Sequence, residues 1–220
     1  MLKKLKKKLV LFSVLILTIL ILIGCSVTAP EFSTFNSNDE GWTAYGDAQT
    51  SVPTYHSGNG NPDGYISVDD GVLDGTWYWL APSNYLGDKS YYYGKYLKFD
   101  LKQSDTTYQF SYYDVMLVST DGTTLIYYDE SNRDASQPGI TWTSYVVKLD
   151  TTAGWRIEPE VGISDNDEAI FKNEFSQADL ATVVEIESVL GSLDELYIRG
   201  EFRDGADTGS LDNVYFGSSS

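Results

Sequence analysis

Cysteine is nearly absent from this chain: among 220 residues Cys25 stands alone, and His56 is the single histidine. One cysteine forms no intrachain disulfide, and one cysteine with one histidine makes no Cys/His metal cluster. Positive charge is scarce and unevenly placed. Residues 1–24 hold five lysines and no acid; beyond them 10 basic residues face 32 acidic ones, a net charge of −22. Such a surface repels nucleic acid and anionic lipid. It remains compatible with neutral glycans, cationic partners or bound cations, or serves solubility alone. Also missing are a Gly-x-Ser-x-Gly elbow, a phosphate loop and a dinucleotide fingerprint. With His56 in a polar loop, a Ser/His/Asp triad is unsupported. Glycosidase chemistry on two carboxylates stays a remote alternative, since no pair stands out.

What is present is a leader and an apolar, aromatic-rich remainder. Lys3, Lys4, Lys6, Lys7 and Lys8 precede an almost wholly apolar run, Leu9 to Ile23. A basic segment, a short apolar segment and a small residue describe a secretory signal, residues 1–24. The run is shorter than the roughly 20 residues a spanning helix needs. Leu22-Ile23-Gly24-Cys25 resembles the bacterial lipobox, which implies a diacylglyceryl thioether on Cys25 and cleavage before it. Each buried CH₂ adds about 0.8 kcal/mol, so two or three acyl chains anchor firmly. The chain is thus expected to be exported and lipid-anchored to a cell or outer membrane, at the surface or in the periplasm. Residues 25–31 read as a tether.

Hydrophobic residues at 42%, with Tyr 17, Phe 9 and Trp 5, supply a core and favour strands. Short apolar runs alternate with Gly, Asn, Asp and Pro clusters from 32 to 217, as in an all-β sandwich or barrel; residues 218–220 form a tail. Period two places Leu97, Phe99 and Leu101 on one face, likewise Tyr145, Val147 and Leu149, and likewise Leu196 and Ile198. Asp121-Gly122 between two apolar runs predicts a hairpin over 114–128. One stretch has helical spacing: Ser176 to Asp179 resembles a capping box, and Leu180, Val183, Val184 and Ile186 continue it. That predicts a single helix over about 177–190 across an edge of the sandwich.

An ordered series then resembles the laminin IV type A (laminin B) domain over roughly residues 32–216. It comprises Phe35, Asn38-Asp39-Glu40-Gly41-Trp42, Gly64 to Ser67, Trp77 to Pro82, Tyr85 to Asp88 and Tyr93-Gly94. It continues through Leu97 to Leu101, Asp114-Val115, Trp142, Gly154-Trp155, Ile198 to Glu201 and Leu211 to Val214. The resemblance implies a jelly-roll β-sandwich similar to galactose-binding and carbohydrate-binding modules, and binding or adhesion rather than catalysis. The cysteine-rich modules that flank this domain in animal laminins have no counterpart here.

Two candidate sites follow. Trp77 and Trp79 point to the same side of a strand, and with Tyr85 they form either a stacking platform for sugar rings or part of the core. Asp212 lies in a terminal strand whose counterpart in carbohydrate-binding jelly rolls often helps hold a structural Ca²⁺; Asp39, Glu40 and Asp47 are its candidate co-ligands, the alternative being an Asp bonded to loop amides. The acidic run from Asp165 to Glu168 reads as solvated. Functionally, the chain reads as a surface module for glycan or matrix-like polymer, or as an envelope lipoprotein packed on protein partners.

Overall fold

The computed structural model describes residues 29–71, 75–129, 137–160 and 168–219; the leader, Cys25, the first part of the tether and Asp165 to Asp167 lie outside them. In chain order the elements are β1 (Glu31–Ser33), β2 (Thr43–Tyr45), β3 (Thr54–His56), β4 (Tyr65–Asp69), β5 (Tyr78–Leu80), β6 (Tyr96–Gln103), β7 (Val115–Ser119) and β8 (Thr124–Tyr127). There follow β9 (Thr143–Lys148), β10 (Arg156–Ile157), α1 (Glu168–Gln177), α2 (Val183–Gly191), β11 (Leu193–Arg199) and β12 (Thr208–Ser218). One sheet runs β3-β4-β12-β6-β9, with β1 also on β12; the other runs β10-β8-β7-β11-β5-β2. All the ladders are antiparallel.

The period-two pattern sets the core. Leu97, Phe99, Leu101, Val147 and Leu149 face inward from the first sheet, and Leu117, Leu196 and Ile198 from the second. The hairpin turns where the sequence places it: Gly122 takes φ 87°, and Asp121 accepts from Thr123 N–H at 2.9 Å. Glu31, read as tether, is the first residue of β1 and its carboxylate meets Lys89 at 2.9 Å.

The single helix predicted over 177–190 is in fact two. Ser176 does not cap a helix; its hydroxyl donates to Asn173 O at 2.7 Å in the last turn of α1. The cap is Thr182, which accepts from Glu185 N–H while Glu185 accepts from Thr182 N–H, a complete capping box. Between the helices Leu180 bridges to Arg156 in extended form. Ile186, Val189 and Leu190 of α2 enter the main core. Phe171 and Phe175 of α1, four apart, make a second core on the outer side of β8 with Tyr113, Ile126 and Tyr128.

Candidate functional site

Burial removes one predicted site. Trp77, Trp79 and Tyr85 are each 0 % exposed, so they are core and offer no platform to a ligand. The reason lies in two glycines on other segments, one just past the neighbouring β11 and one in β12 of the facing sheet. Gly200 and Gly209 leave room for the Trp77 indole, and a Cβ at either would collide with it. Trp77 and Trp79 pack edge to face at 4.9 Å. Tyr85 donates to Ser33 Oγ at 2.9 Å, the same oxygen that takes the Trp42 indole N–H at 3.0 Å.

The predicted calcium ligands also separate. Glu40 accepts from Phe35 N–H at 2.7 Å, and Asp39 accepts from Gly41 N–H at 3.0 Å. Asp47 sits against Gly75, in the field of Glu201. Asp212 accepts from Asn61 N–H at 2.6 Å and Asn213 N–H at 2.7 Å. Among the described residues no three His, Cys, Asp or Glu side chains converge on a metal position. Glu40, Asp39 and Asp212 each accept from backbone amides near them in the fold.

Asp212 belongs instead to a bulge with a positional role. The β12–β6 register shifts between Asp212 and Tyr215, and β12 changes edge partner there, from β4 to β1. Asn213 takes φ 50°, which Asn tolerates better than most residues. Its amide donates to Asp100 Oδ2 at 2.8 Å and to Asn61 O. These bonds pin the loop 58–64 onto the outer face of the first sheet. Burial pushes the Asp212 carboxyl up to about 6, opposed by the two amide donors.

Beside this bulge lies the cluster that sequence reasoning missed. Cross-strand register places Thr54, Ser67, Ser210 and Lys102 in one outward row, with Trp142 just beyond β9's start. The adjacent row carries His56 opposite Tyr65. Because the first row is small, the large side chains lean over it. His56 stacks on Tyr65 at 4.3 Å and 12°, and Tyr65 meets Trp142 edge to face at 5.4 Å. Lys102 Nζ lies 4.5 Å from both the Tyr65 and Trp142 ring centres. The Trp142 indole donates to Asn59 O at 3.3 Å, tying the row to the pinned loop. His56, Tyr65, Lys102 and Trp142 are all half-buried, so the row remains reachable from solvent. Burial and the Lys102 charge lower the His56 pKa. His56 Nε2 is 2.8 Å from Ser67 Oγ, and among the described residues no carboxylate is seen bonded to the ring's other nitrogen, where a triad has its orienting acid.

Two antiparallel sheets packed face to face, with a polar and aromatic outer face on one of them, make this a jelly-roll β-sandwich. The chain belongs to the laminin B (domain IV) family, whose model matches residues 78–220. The fold is similar to the L4b domain of human laminin alpha-2, with a TM-score of 0.55, 10% identity, 86% of this chain and 97% of that one covered. It is also similar to the family 11 carbohydrate-binding module from Clostridium thermocellum, solved with a β-1,3-1,4-mixed-linked tetrasaccharide. There the TM-score is 0.51 and identity 14%, over 88% of this chain and 98% of that one. Comparison with curated protein sequences finds no match. Among the described residues no helix is long and apolar enough to cross a membrane.

Proposed function

We propose that this chain is an exported, lipid-anchored, non-catalytic binding module that holds a glycan on the outer face of its first sheet. The row of His56, Tyr65, Lys102 and Trp142 carries this reading: it is the place where half-buried rings stand on a sheet face beside polar groups fixed by a bulge. A pyranose presents an apolar C–H face and a polar rim, and an amphipathic ring cluster matches both. The fold's likeness to a module solved with a tetrasaccharide supports the same reading. Catalysis has no comparable support, because Asp100 and Asp212 are buried and committed to Asn61 and Asn213.

The test is affinity electrophoresis against a panel of neutral and charged polysaccharides, followed by calorimetry on whichever is retained. Trp142→Ala is expected to weaken binding at least tenfold, in line with about 1–3 kcal/mol for losing a stacking ring, while the melting temperature stays within a few degrees. Retention unchanged by Trp142→Ala would place binding elsewhere. Exposed Phe32, 59 % accessible and stacked on Tyr215, favours a second reading in which that end packs on an envelope protein.

Anchoring rests on the Leu22–Cys25 motif. Cys25→Ser is expected to leave the leader uncleaved and abolish acyl mass. Intact mass spectrometry of detergent-extracted protein checks it, and a wild-type mature chain without acyl mass would end the proposal.

A further inference from the structure

We infer that the sugar taken by this face is anionic: a glycan bearing uronic-acid residues, with Lys102 as the carboxylate partner. The inference rests on the glycan reading of the same face and names its ligand class.

The argument begins with where the cations of this chain sit. Acids outnumber bases threefold past the leader, and several of the cations take acidic partners, while Lys98 and Arg156 rest on aromatic rings. Lys89 pairs with Glu31 at 2.9 Å, Lys148 with Asp150 at 2.7 Å and Arg203 with Asp105 at 3.3 Å. Lys102 takes none. Among the described residues no carboxylate lies within ion-pair distance of its ammonium, which rests instead in the corner made by two rings set at 78°. The corner holds the charge on the sheet face without neutralising it.

The neighbouring acids do not fill that role. Asp212 and Asp100 face outward one row away, yet their oxygens are engaged: Asp212 by Asn61 N–H and Asn213 N–H, Asp100 by the side-chain amides of Asn61 and Asn213. Asp69 accepts from the Thr208 hydroxyl at 2.7 Å. Within the row itself, where Thr54, Ser67, Ser210 and Trp142 are neutral, Lys102 is the one charged side chain, while Asp212 one row away acts on it at longer range. Overall repulsion of an anion is screened within about 8 Å at physiological salt, so the local ammonium decides at contact.

Ring and charge together select the ligand. A free inorganic anion gains nothing from Trp142 and Tyr65. A neutral sugar leaves a partly desolvated ammonium without a counter-ion. A uronic acid offers an apolar face to the rings and a carboxylate at its rim for Lys102, with the His56–Ser67 pair adjacent for hydroxyl contacts.

Calorimetry on the full chain in detergent tests this with three probes: a galacturonate oligomer, the same oligomer after carboxyl reduction, and inorganic polyphosphate. The uronate form is expected to bind at least tenfold tighter than the reduced form, with affinity falling as salt rises. Lys102→Met, which keeps the stem's bulk, should remove that preference and leave the reduced form within about twofold; Lys102→Arg should retain it. Equal affinity for both sugars, or an unchanged preference in Lys102→Met, overturns the inference while leaving a neutral-glycan module intact. Polyphosphate binding as tight as the uronate also overturns it, as charge alone would then suffice. Failure of both sugars to bind, with none of the neutral panel retained, removes the glycan reading itself.

Discussion

Arg199→Ala is expected to lower the melting temperature by about 10 °C. The Arg199 side chain is 0 % exposed. Its guanidinium lies between the rings of Phe110 and Phe202, 4.4 and 4.5 Å from their centres. It donates to the carbonyls of Phe110 at 3.2 Å and Tyr112 at 3.4 Å, and faces Asp114 at 4.0 Å. One side chain thereby fastens the irregular segment before β7 to the end of β11. Removing it takes a donor from both carbonyls and the counter-charge from Asp114, although Phe110 O keeps Gln137 Nε2 and Asp114 keeps Asp129 N–H, and breaking a buried charge pair costs about 3–5 kcal/mol. For a chain of this size that converts to about 2–4 °C per kcal/mol. Arg199→Met keeps most of the volume and should lose less. Thermal melts of both variants within 2 °C of wild type would show that the segment is held by other contacts.

The second large effect is a dependence on pH. Glu201, 1 % exposed, is pushed up to about 9, first by burial and then by the charges of Asp70 and Asp47, against the pull of Arg199. Asp207 is pushed up to about 7 by burial and by Asp70. In the unfolded chain both titrate near their ordinary values, close to 4. Between those limits the folded state binds more protons than the unfolded one, so stability falls as pH rises from about 4 to 9. Each unit of separation corresponds to about 1.4 kcal/mol. Several carboxyls act in the opposite sense at the acid end: Asp150 and Asp121 are held below their usual range and lose stability as pH falls through it. The melting temperature should therefore peak near pH 5. Glu201→Gln mimics the protonated form and keeps an acceptor for Trp77 N–H. At pH 8 it is expected to be more stable than wild type by about 2–4 kcal/mol, with a flatter profile. A variant less stable than wild type at pH 8 would mean that Glu201 is ionised in the folded protein.

Legibility in the sequence followed the range of the interactions. Leu97 to Leu101 could be read because alternation is local, and the Asp121-Gly122 turn because its backbone demand is local. The direction in which Trp77 and Trp79 point could not be read. Alternation says that they share a face, but the space for Trp77 comes from Gly200 and Gly209 on other segments. The first helix carried a usable signal, Phe171 and Phe175 one turn apart, which the acidic run before it obscured. The candidate site left the least trace. His56, Tyr65, Lys102 and Trp142 come from four separate segments and meet only through the register of β3, β4, β12, β6 and β9. The Asp212 alternative of loop-amide bonding was available from the residue alone; the bulge that makes it was not.

The pairing of β1 with β12 has a mechanical consequence. Glu31 lies beside Phe216 and Ser33 beside Val214, so the chain enters at one end of β12. The ring row stands on the other end, near Ser210, about 15 Å further along at the strand rise. With the proposed N-terminal anchor and a glycan bound at the ring row as proposed, a pull between the two would run nearly parallel to β12. The β1–β12 hydrogen bonds would then be loaded side by side, in shear, rather than opened one after another. The antiparallel β6 ladder along β12 spreads the same load into the sheet. Drawn against flow by its ligand, the domain would resist as a lap joint does, with its short first strand as the overlap.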